Sequence, residues 1–303
     1  MAISRGQLVK ELEPGLNALF GLEYKRYENQ HAEIYTTESS DRAFEEEVML
    51  SGFAQAQTKS EGAGVVFDNA QETYTARYTH ETVALAFSIT EEAIEDNLYD
   101  RLASRYTKAL ARSMANTKQV KAVAPLINGL PTNDAFDSGD GVSLFNTAHP
   151  TIAGIVANTL ATQADLNETS LEQSLIDIAA MTDERGLKIA ARGVKMIVPS
   201  ELQFTAERLM KSQGRVGTAD NDVNAIVSMG MIPQGYRVNN YLTDSDAFYI
   251  ITDVPNGMKM FQRAALTTGM EGDFDTGNVR YKARERYSFG VSDPRGIFGV
   301  EGA

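Results

Sequence analysis

The sequence predicts an α+β fold in which one long helix lies beside strands of extended chain. Residues 90–124 place apolar side chains in a row at i, i+4 spacing, and a helix of that length measures about 50 Å. Residues 74–89 and 279–291 alternate apolar and polar side chains with the period of two that strands show. Residues 164–261 mix both periods, which is typical of a compact α/β region.

The composition is that of a folded chain without disulfides. Of the 303 residues, 43% are hydrophobic and 23% are charged, as in ordinary globular domains. No run approaches the roughly 18 apolar residues of a membrane span, and residues 1–7 lack the apolar core of a secretory signal. The absence of cysteine excludes cysteine-ligated metals, and three scattered histidines disfavour a histidine metal site. We therefore expect a soluble protein that is made in a cytoplasm, does not bind a membrane and needs no cofactor.

The net charge of −13 limits the possible partners. A protein that binds nucleic acid over its whole surface is normally basic, because the release of counterions from phosphates supplies most of the affinity. This chain repels DNA on average. The charge therefore disfavours a repressor or a nucleoid protein. It is compatible with a container whose inner wall does not bind the enclosed material tightly.

Five regions follow one another along the chain. The first is an arm, broken by Pro14-Gly15, with too few apolar residues to pack alone. Next comes a long extended hairpin, whose apolar phase switches from even to odd positions between Tyr78 and Val83. Such a switch requires a bulge, a bend or a change of sheet where the hairpin rejoins the main body. The predicted regions are the arm (1–36), the hairpin (37–82), a segment with the long helix ended by Pro125 (83–127), an α/β region (128–261) and closing strands (262–303).

The sequence contains no complete catalytic or nucleotide-binding motif. A dinucleotide fingerprint, a P-loop, an EF-hand calcium loop and a nucleophile elbow are each absent or fail after a few residues. His149, in the long irregular segment 126–163, is the one histidine in a suggestive setting. It is either a general base or metal ligand, or a loop histidine that donates a hydrogen bond to the backbone. Because the sequence offers no catalytic partner, we favour the structural role.

One strand in the last region carries four cations on a single face, which is unusual in an acidic protein. Three interpretations remain open: the face binds phosphate, it is simply solvated, or it pairs with an acidic segment of another subunit. Residues 45–47 are such a segment, although acidic runs are more often solvated. The candidate interface residues are Glu45, Glu46 and Glu47 on the acidic side and Arg280, Lys282, Arg284 and Arg286 on the basic side.

The order of these regions resembles the Hong Kong 97-type fold of tailed-bacteriophage major capsid proteins. Residues 144–213 more tightly resemble the major head subunit family of Mu-like phages. The residues that carry this closer resemblance are Leu144-Phe145-Asn146-Thr147-Ala148-His149-Pro150, Asn158-Thr159-Leu160, Asp183 before Gly186, and Val198-Pro199-x-x-Leu202 leading to Ala206 and Leu209. The looser resemblance covers the whole chain, and the tight one covers about a quarter of it.

The resemblance implies a major capsid protein and not an enzyme. Such a protein assembles as hexamers and pentamers into an icosahedral shell that encloses phage genomic DNA. It is made in the host cytoplasm and ends in the virion. By the same resemblance, residues 37–82 form the E-loop hairpin that lies over a neighbouring subunit, residues 83–127 and 262–303 form the P-domain with the spine helix, and residues 128–261 form the A-domain.

The resemblance also implies partners. We expect further copies of the chain, a separate scaffolding protein, because no scaffold segment precedes the arm, a portal and, in some phages, a decoration protein. Double-stranded DNA is enclosed without sequence-specific binding. Some relatives form covalent lysine–asparagine cross-links, and Lys59, near the predicted tip of the hairpin, is the candidate lysine here.

Two alternatives compete with the phage shell. The first has the same fold and a different biology, namely an encapsulin-like nanocompartment that holds an enzyme cargo. The second is a cytoplasmic oligomeric enzyme whose site surrounds His149 in the segment 126–163. A cargo inside DNA-free particles would favour the first, and turnover lost in His149→Ala would favour the second.

Overall fold

A computed structural model describes residues 5–90, 92, 99–133, 135–215, 222–273 and 277–303. Its helices and sheets confirm the predicted α+β class. The helices are α1 (Arg5–Arg26), α2 (Tyr99–Asn128), α3 (Glu168–Ala180), α4 (Gln203–Lys211) and α5 (Ala225–Met229), with 3₁₀ turns at Gln30–Glu33 and Pro294–Gly296. The strands are β1 (Thr36–Ser39), β2 (Phe44–Leu50), β3 (Glu72–Thr79), β4 (Glu81–Ile89), β5 (His149–Thr151), β6 (Gly154–Val156), β7 (Gly193–Val198), β8 (Tyr236–Val238), β9 (Phe248–Thr252), β10 (Met258–Gly272), β11 (Val279–Val291) and β12 (Ile297–Val300).

The largest sheet has the strand order β1-β10-β11-β4 and packs one face on helices α1 and α2. Strand β11 alternates as predicted: Tyr281 and Ala283 are buried, while Lys282 and Arg284, each the next residue along the strand, are exposed. The buried side chains form a core with Met114 of α2. Burial at about 25 cal/mol per Å² of apolar surface drives this packing.

The predicted break in the N-terminal arm is absent. Helix α1 runs through Pro14, and Leu16 and Phe20 are only 8% and 2% exposed. Phe20 lies against Tyr281 of the sheet, with ring centroids 6.5 Å apart. Proline removes one helical hydrogen bond, but the apolar row one turn later is buried by the subunit's own sheet. The expectation that the whole arm lacks a burial partner was therefore wrong for this part.

The long helix also passes the proline that was expected to end it. The predicted helix was 90–124, whereas α2 ends at Asn128 with Pro125 inside it; of the predicted first turns, residues 91 and 93–98 lie outside the described residues. Leu126, fully buried, continues the apolar row beyond Pro125. The chain turns at Gly129, where a Cβ would lie 2.5 Å from Leu144 Cβ. Burial of the next turn thus outweighs the missing backbone donor.

A second sheet, ordered β12-β9-β7-β8, separates two hydrophobic cores. Met196 and Val198 of β7 face the core formed with α3 and α4. Ile197, between them, faces the core at the end of α2. Helix α3 begins at a capping box, in which Asn167 accepts from the Ser170 N–H and the Ser170 hydroxyl accepts from the Asn167 N–H.

The predicted phase switch in the hairpin is a change of sheet. Strand β3 pairs with β2 in a two-stranded sheet, whereas β4 pairs with β11. The single residue between β3 and β4 is His80, whose ring nitrogens lie 2.9 Å from the hydroxyls of Ser40 and Ser288. The hairpin therefore leaves the main sheet at His80.

The segment after α1 is fastened to α2 through a buried histidine. The His31 backbone N–H donates to Gln119 Oε1 at 2.9 Å, and Gln119 Nε2 donates to His31 Nδ1 at 3.0 Å. Nδ1 is therefore an acceptor, and the ring is neutral. Burial, helped by the charge of Lys118, lowers the pKa of His31 to about 4.

Acid is expected to weaken this attachment. Between pH 6.5 and 4 the histidine binds a proton in the unfolded chain but not in the folded one, so stability falls as the pH falls through that window. Across the whole window, the free energy of unfolding falls by about 3 kcal/mol. Urea unfolding of isolated subunits at several pH values checks it. His31→Gln should flatten the profile between these limits, and parallel profiles for the two proteins would contradict the assignment.

Candidate assembly surfaces

The described residues contain no cluster of three histidine or acidic side chains placed to hold a metal ion. None of the described helices is long and apolar enough to cross a membrane.

His149 is fully engaged inside the chain. It is 3% exposed, and its Nδ1 donates to Asp140 Oδ2 at 2.6 Å while its Nε2 donates to Asn158 Oδ1 at 3.0 Å. The Asn158 amide nitrogen donates to the carbonyls of Leu144 and Pro294, which leaves Oδ1 as the acceptor. Both ring nitrogens therefore have an oxygen acceptor inside the chain. The expected hydrogen bond to the backbone is absent from these contacts, because both partners of the ring are side chains.

The acid that pairs with this ring is stabilised as a carboxylate. Burial alone opposes ionisation of Asp140, but hydrogen bonds from His149 and the Ser138 hydroxyl outweigh it and lower the pKa of Asp140. A buried ion pair lies nearby, where Arg295 holds both oxygens of Asp293 at 2.8 and 2.9 Å. Asn158 fastens the irregular segment 137–158 to this last turn of the chain, because its amide nitrogen donates to the Pro294 carbonyl at 3.0 Å.

The acidic candidates Glu45, Glu46 and Glu47 do not act as one cluster. Glu47 accepts from Lys259 Nζ at 2.5 Å and from the Ser292 hydroxyl, and Glu45 accepts from the Ser40 hydroxyl at 2.7 Å. Glu46 points to the other face of β2 and lies 3.7 Å from Arg77, with both side chains about half exposed. Only Glu46 is thus available to another subunit as an exposed carboxylate.

The basic candidates form a continuous surface. The cationic face consists of Arg280, Lys282, Arg284 and Arg286 on β11. Its neighbours across the sheet in β4 are small, namely Ser88, Ala86, Ala84 and Thr82. Arg280 pairs with Asp273 at 2.5 Å, whereas Lys282 and Arg284 make no ion pair among the described residues. Within one chain, the cationic face does not meet residues 45–47.

The hairpin presents apolar side chains to solvent. Phe44, Val48 and Leu50 lie on the exposed face of β2. Farther out, the loop 51–71 exposes Val65, Val66 and Phe67 by 69%, 67% and 93%. This trio was not predicted from the sequence, although three β-branched or aromatic residues in a small polar loop are a usable signal. Lys59, the candidate for cross-linking, is exposed in the same loop and makes no ion pair with any described residue.

A buried ion pair lies beneath the cationic face. Lys118 Nζ of α2 donates to Glu285 Oε2 of β11 at 3.2 Å, and the two side chains are 10% and 0% exposed. Burial raises the pKa of Glu285, although Lys118 opposes that shift. The second oxygen, Oε1, has no hydrogen-bond partner. This pair joins the long helix to the sheet.

The chain matches one family of viral shell proteins over most of its length. The family model described as phage capsid protein matches residues 73–300, well over half of the chain. No curated protein matches the sequence.

Solved structures with the same fold are particle shells. The capsid of an empty GTA particle has a TM-score of 0.56 and 14% identity, over 90% of this chain and 89% of its own. The capsid of Myoviridae phage XM1 has a TM-score of 0.54 and 11% identity, over 89% of each chain. A virus-like particle from Pyrococcus furiosus has a TM-score of 0.51 and 10% identity, over 94% of this chain and 98% of its own. At these identities the matches establish the fold, and the predicted Hong Kong 97-like class is confirmed.

Proposed function

Since the chain belongs to the phage capsid protein family, we propose that its copies close as hexamers and pentamers into an icosahedral shell around double-stranded phage DNA. The chain is a major capsid protein, a component of the virion. The family match over residues 73–300 is the observation that carries the proposal. The encapsulin-like alternative is not favoured, because the matching family is one of phage capsids.

The exposed hairpin supports self-assembly. The side chains of Phe44, Leu50 and Phe67 are exposed, and their apolar surface stays in contact with water unless a neighbouring subunit covers it. Contacts between unlike surfaces of identical subunits close into rings, which a shell of hexamers and pentamers requires. The hairpin, residues 37–82, is the segment proposed to lie on the neighbour. The rest of the subunit is proposed to divide into the arm (1–36), the P-domain (83–127 and 262–303) and the A-domain (128–261).

The remaining partners are proposals of the same kind. They are a separate scaffolding protein, a portal and a decoration protein, and assembly is proposed to take place in the host cytoplasm. The net charge of −13 supports enclosure of DNA without sequence-specific binding. The internal engagement of both His149 ring nitrogens supports a protein without enzymatic activity.

Negative-stain electron microscopy of the purified protein tests the function directly. Closed particles are expected, either immediately or after a change of salt or pH. A discrete small oligomer under all conditions would contradict a shell protein. Particles that lack DNA and contain a copurifying enzyme, when isolated from infected or induced cells, would restore the encapsulin-like alternative.

The proposed interface role of the cationic face predicts that Arg284→Glu blocks assembly. The change places a like charge opposite an acidic side chain of a neighbour's hairpin and lowers particle yield by about tenfold or more, while circular dichroism of the subunit stays unchanged. Lys188→Glu, at an exposed loop cation, is the matched control because it alters the net charge equally. Arg286→Glu should act like Arg284→Glu. Normal yield in both face variants would refute the interface role.

A further inference from the structure

The main sheet ends in a strand whose outer edge is open. Strand β4 is last in the order β1-β10-β11-β4, so its nine residues pair with β11 on one side and with no described strand on the other. Its pairing with β11 continues from Ile89 to Glu81 without a register shift. A straight edge of this length presents a row of backbone donors and acceptors that another strand can use.

This edge lacks the devices that natural proteins use to prevent pairing. It contains no proline, no lysine and no bulge. Its only charged residue, Glu81 at the start, is neutralised by Lys121. Leu85 in its middle is 46% exposed. An apolar edge without these devices implies that a strand covers it in the assembled state.

The hairpin loop contains a segment with strand composition and no strand partner. Residues 64–68 include Val65, Val66 and Phe67, which have high strand propensity and are largely exposed to solvent. No backbone hydrogen bond of residues 64–67 is formed with the rest of the described chain. Within its own subunit the segment is held through Asp68, whose carboxylate accepts from the Ala54 N–H at 2.7 Å and lies 3.9 Å from Arg185.

Charge and size match this segment to the edge of β4. Ala84 and Ala86 are small enough for Lys282 and Arg284 to extend across them toward a strand added at the edge. Asp68, directly after the apolar trio, supplies a carboxylate at that place. A strand beyond β4 lies about 10 Å from β11, a distance that a long cation and an acidic side chain span together.

We propose that the open edge of β4 accepts residues 64–68 of a neighbouring copy as a fifth strand. The inference rests on the proposed shell function and names the contact by which one subunit's hairpin holds the next. It also explains why the trio Val65, Val66 and Phe67 is exposed in the single chain: its partner is on another copy.

The lack of cysteine in the chain makes a cross-linking test clean. Paired strands bring Cα atoms to about 4.5–5.5 Å, within the range of a disulfide. We would combine Val66→Cys with Ala84→Cys, Ala86→Cys or Ser88→Cys, because these three positions share one face of β4. Assembled particles are oxidised and run on denaturing gels without reductant. A ladder of linked chains is expected for one of the three pairs, with clearly less at its neighbours.

The control separates the proposed occupant from the obvious competitor. Val48→Cys combined with the same β4 positions reports on the edge strand β2 of the hairpin. Cross-links there and none from Val66→Cys would overturn the assignment of residues 64–68. Particles that form normally and give no ladder with any pair would overturn the strand addition and leave the shell function standing. Absence of particles from the unaltered protein would remove both.

Hydrogen exchange of the unaltered protein provides a test that needs no variant. Amide exchange of residues 64–67 is expected to slow by about tenfold or more in particles compared with dissociated subunits, together with alternate amides of β4. Equal exchange in the two states would overturn the proposal even if the cysteine variants failed to assemble.

Discussion

Lys118→Met is expected to lower the free energy of unfolding of the isolated subunit by about 3–5 kcal/mol at neutral pH. The change leaves the fully buried Glu285 without Lys118, its one ion-pair partner among the described residues, and an uncompensated buried charge is costly. The loss should shrink as the pH falls, because burial already raises the pKa of Glu285 and protonation removes the charge. Denaturant unfolding at two pH values measures both effects.

Two further variants make this result specific. Lys108→Met removes an exposed lysine from the same helix and should change stability by no more than about 0.5 kcal/mol. The double variant Lys118→Met/Glu285→Leu should recover most of the loss, since an apolar pair of similar volume can replace a buried ion pair. A single variant as stable as the Lys108→Met control would show that the pair adds nothing to the attachment of helix and sheet.

His149→Ala is the second change with a large expected effect, again about 3–5 kcal/mol. It leaves the buried Asp140 carboxylate without the His149 ring that pairs with it and removes a hydrogen-bond partner from Asn158. Because the effect acts through folding, particle yield should fall together with the melting temperature. Asp140→Ala should be similarly costly, and the double variant should lose less than the sum of the two singles.

The control for His149→Ala is Thr147→Ala, two residues away at an exposed position, for which a change below about 0.5 kcal/mol is expected. If His149→Ala unfolded at the same denaturant concentration as the unaltered subunit, the buried contact between His149 and Asp140 would have no structural importance. The role of the histidine would then have to be sought elsewhere.

Short-range periodicity predicted the parts of the fold in which one face is buried. The alternation in β11 correctly put Glu285 on the core side and the cations on the other. The change of phase between Tyr78 and Val83 correctly marked the change of sheet. These features could be predicted because side-chain direction in a strand follows position alone.

Features that depend on distant partners could not be predicted in this way. Lys118 and Glu285 are 167 positions apart, and nothing local indicates that they meet. Helix α1 continues through Pro14, and α2 through Pro125, because sheet and loop residues far away bury the next turn. The acidic run is a different case: a period of two already separates Glu46 from Glu45 and Glu47, so its division between two faces was inferable from the strand pattern.

Strand β12 has a consequence for the synthesis of the protein. Phe298 and Val300 complete one core, Ile297 completes the other, and Gly299 lies so close to the Phe145 ring that a Cβ there would be 2.6 Å away. Neither core can close until the ribosome has translated past residue 300 and that stretch has left the exit tunnel. Translation proceeds at about 5–20 residues per second, so both hydrophobic cores of each nascent chain stay open until synthesis is nearly finished. Chains truncated before this point leave both cores open, so we expect them to expose apolar surface and to aggregate instead of joining a particle.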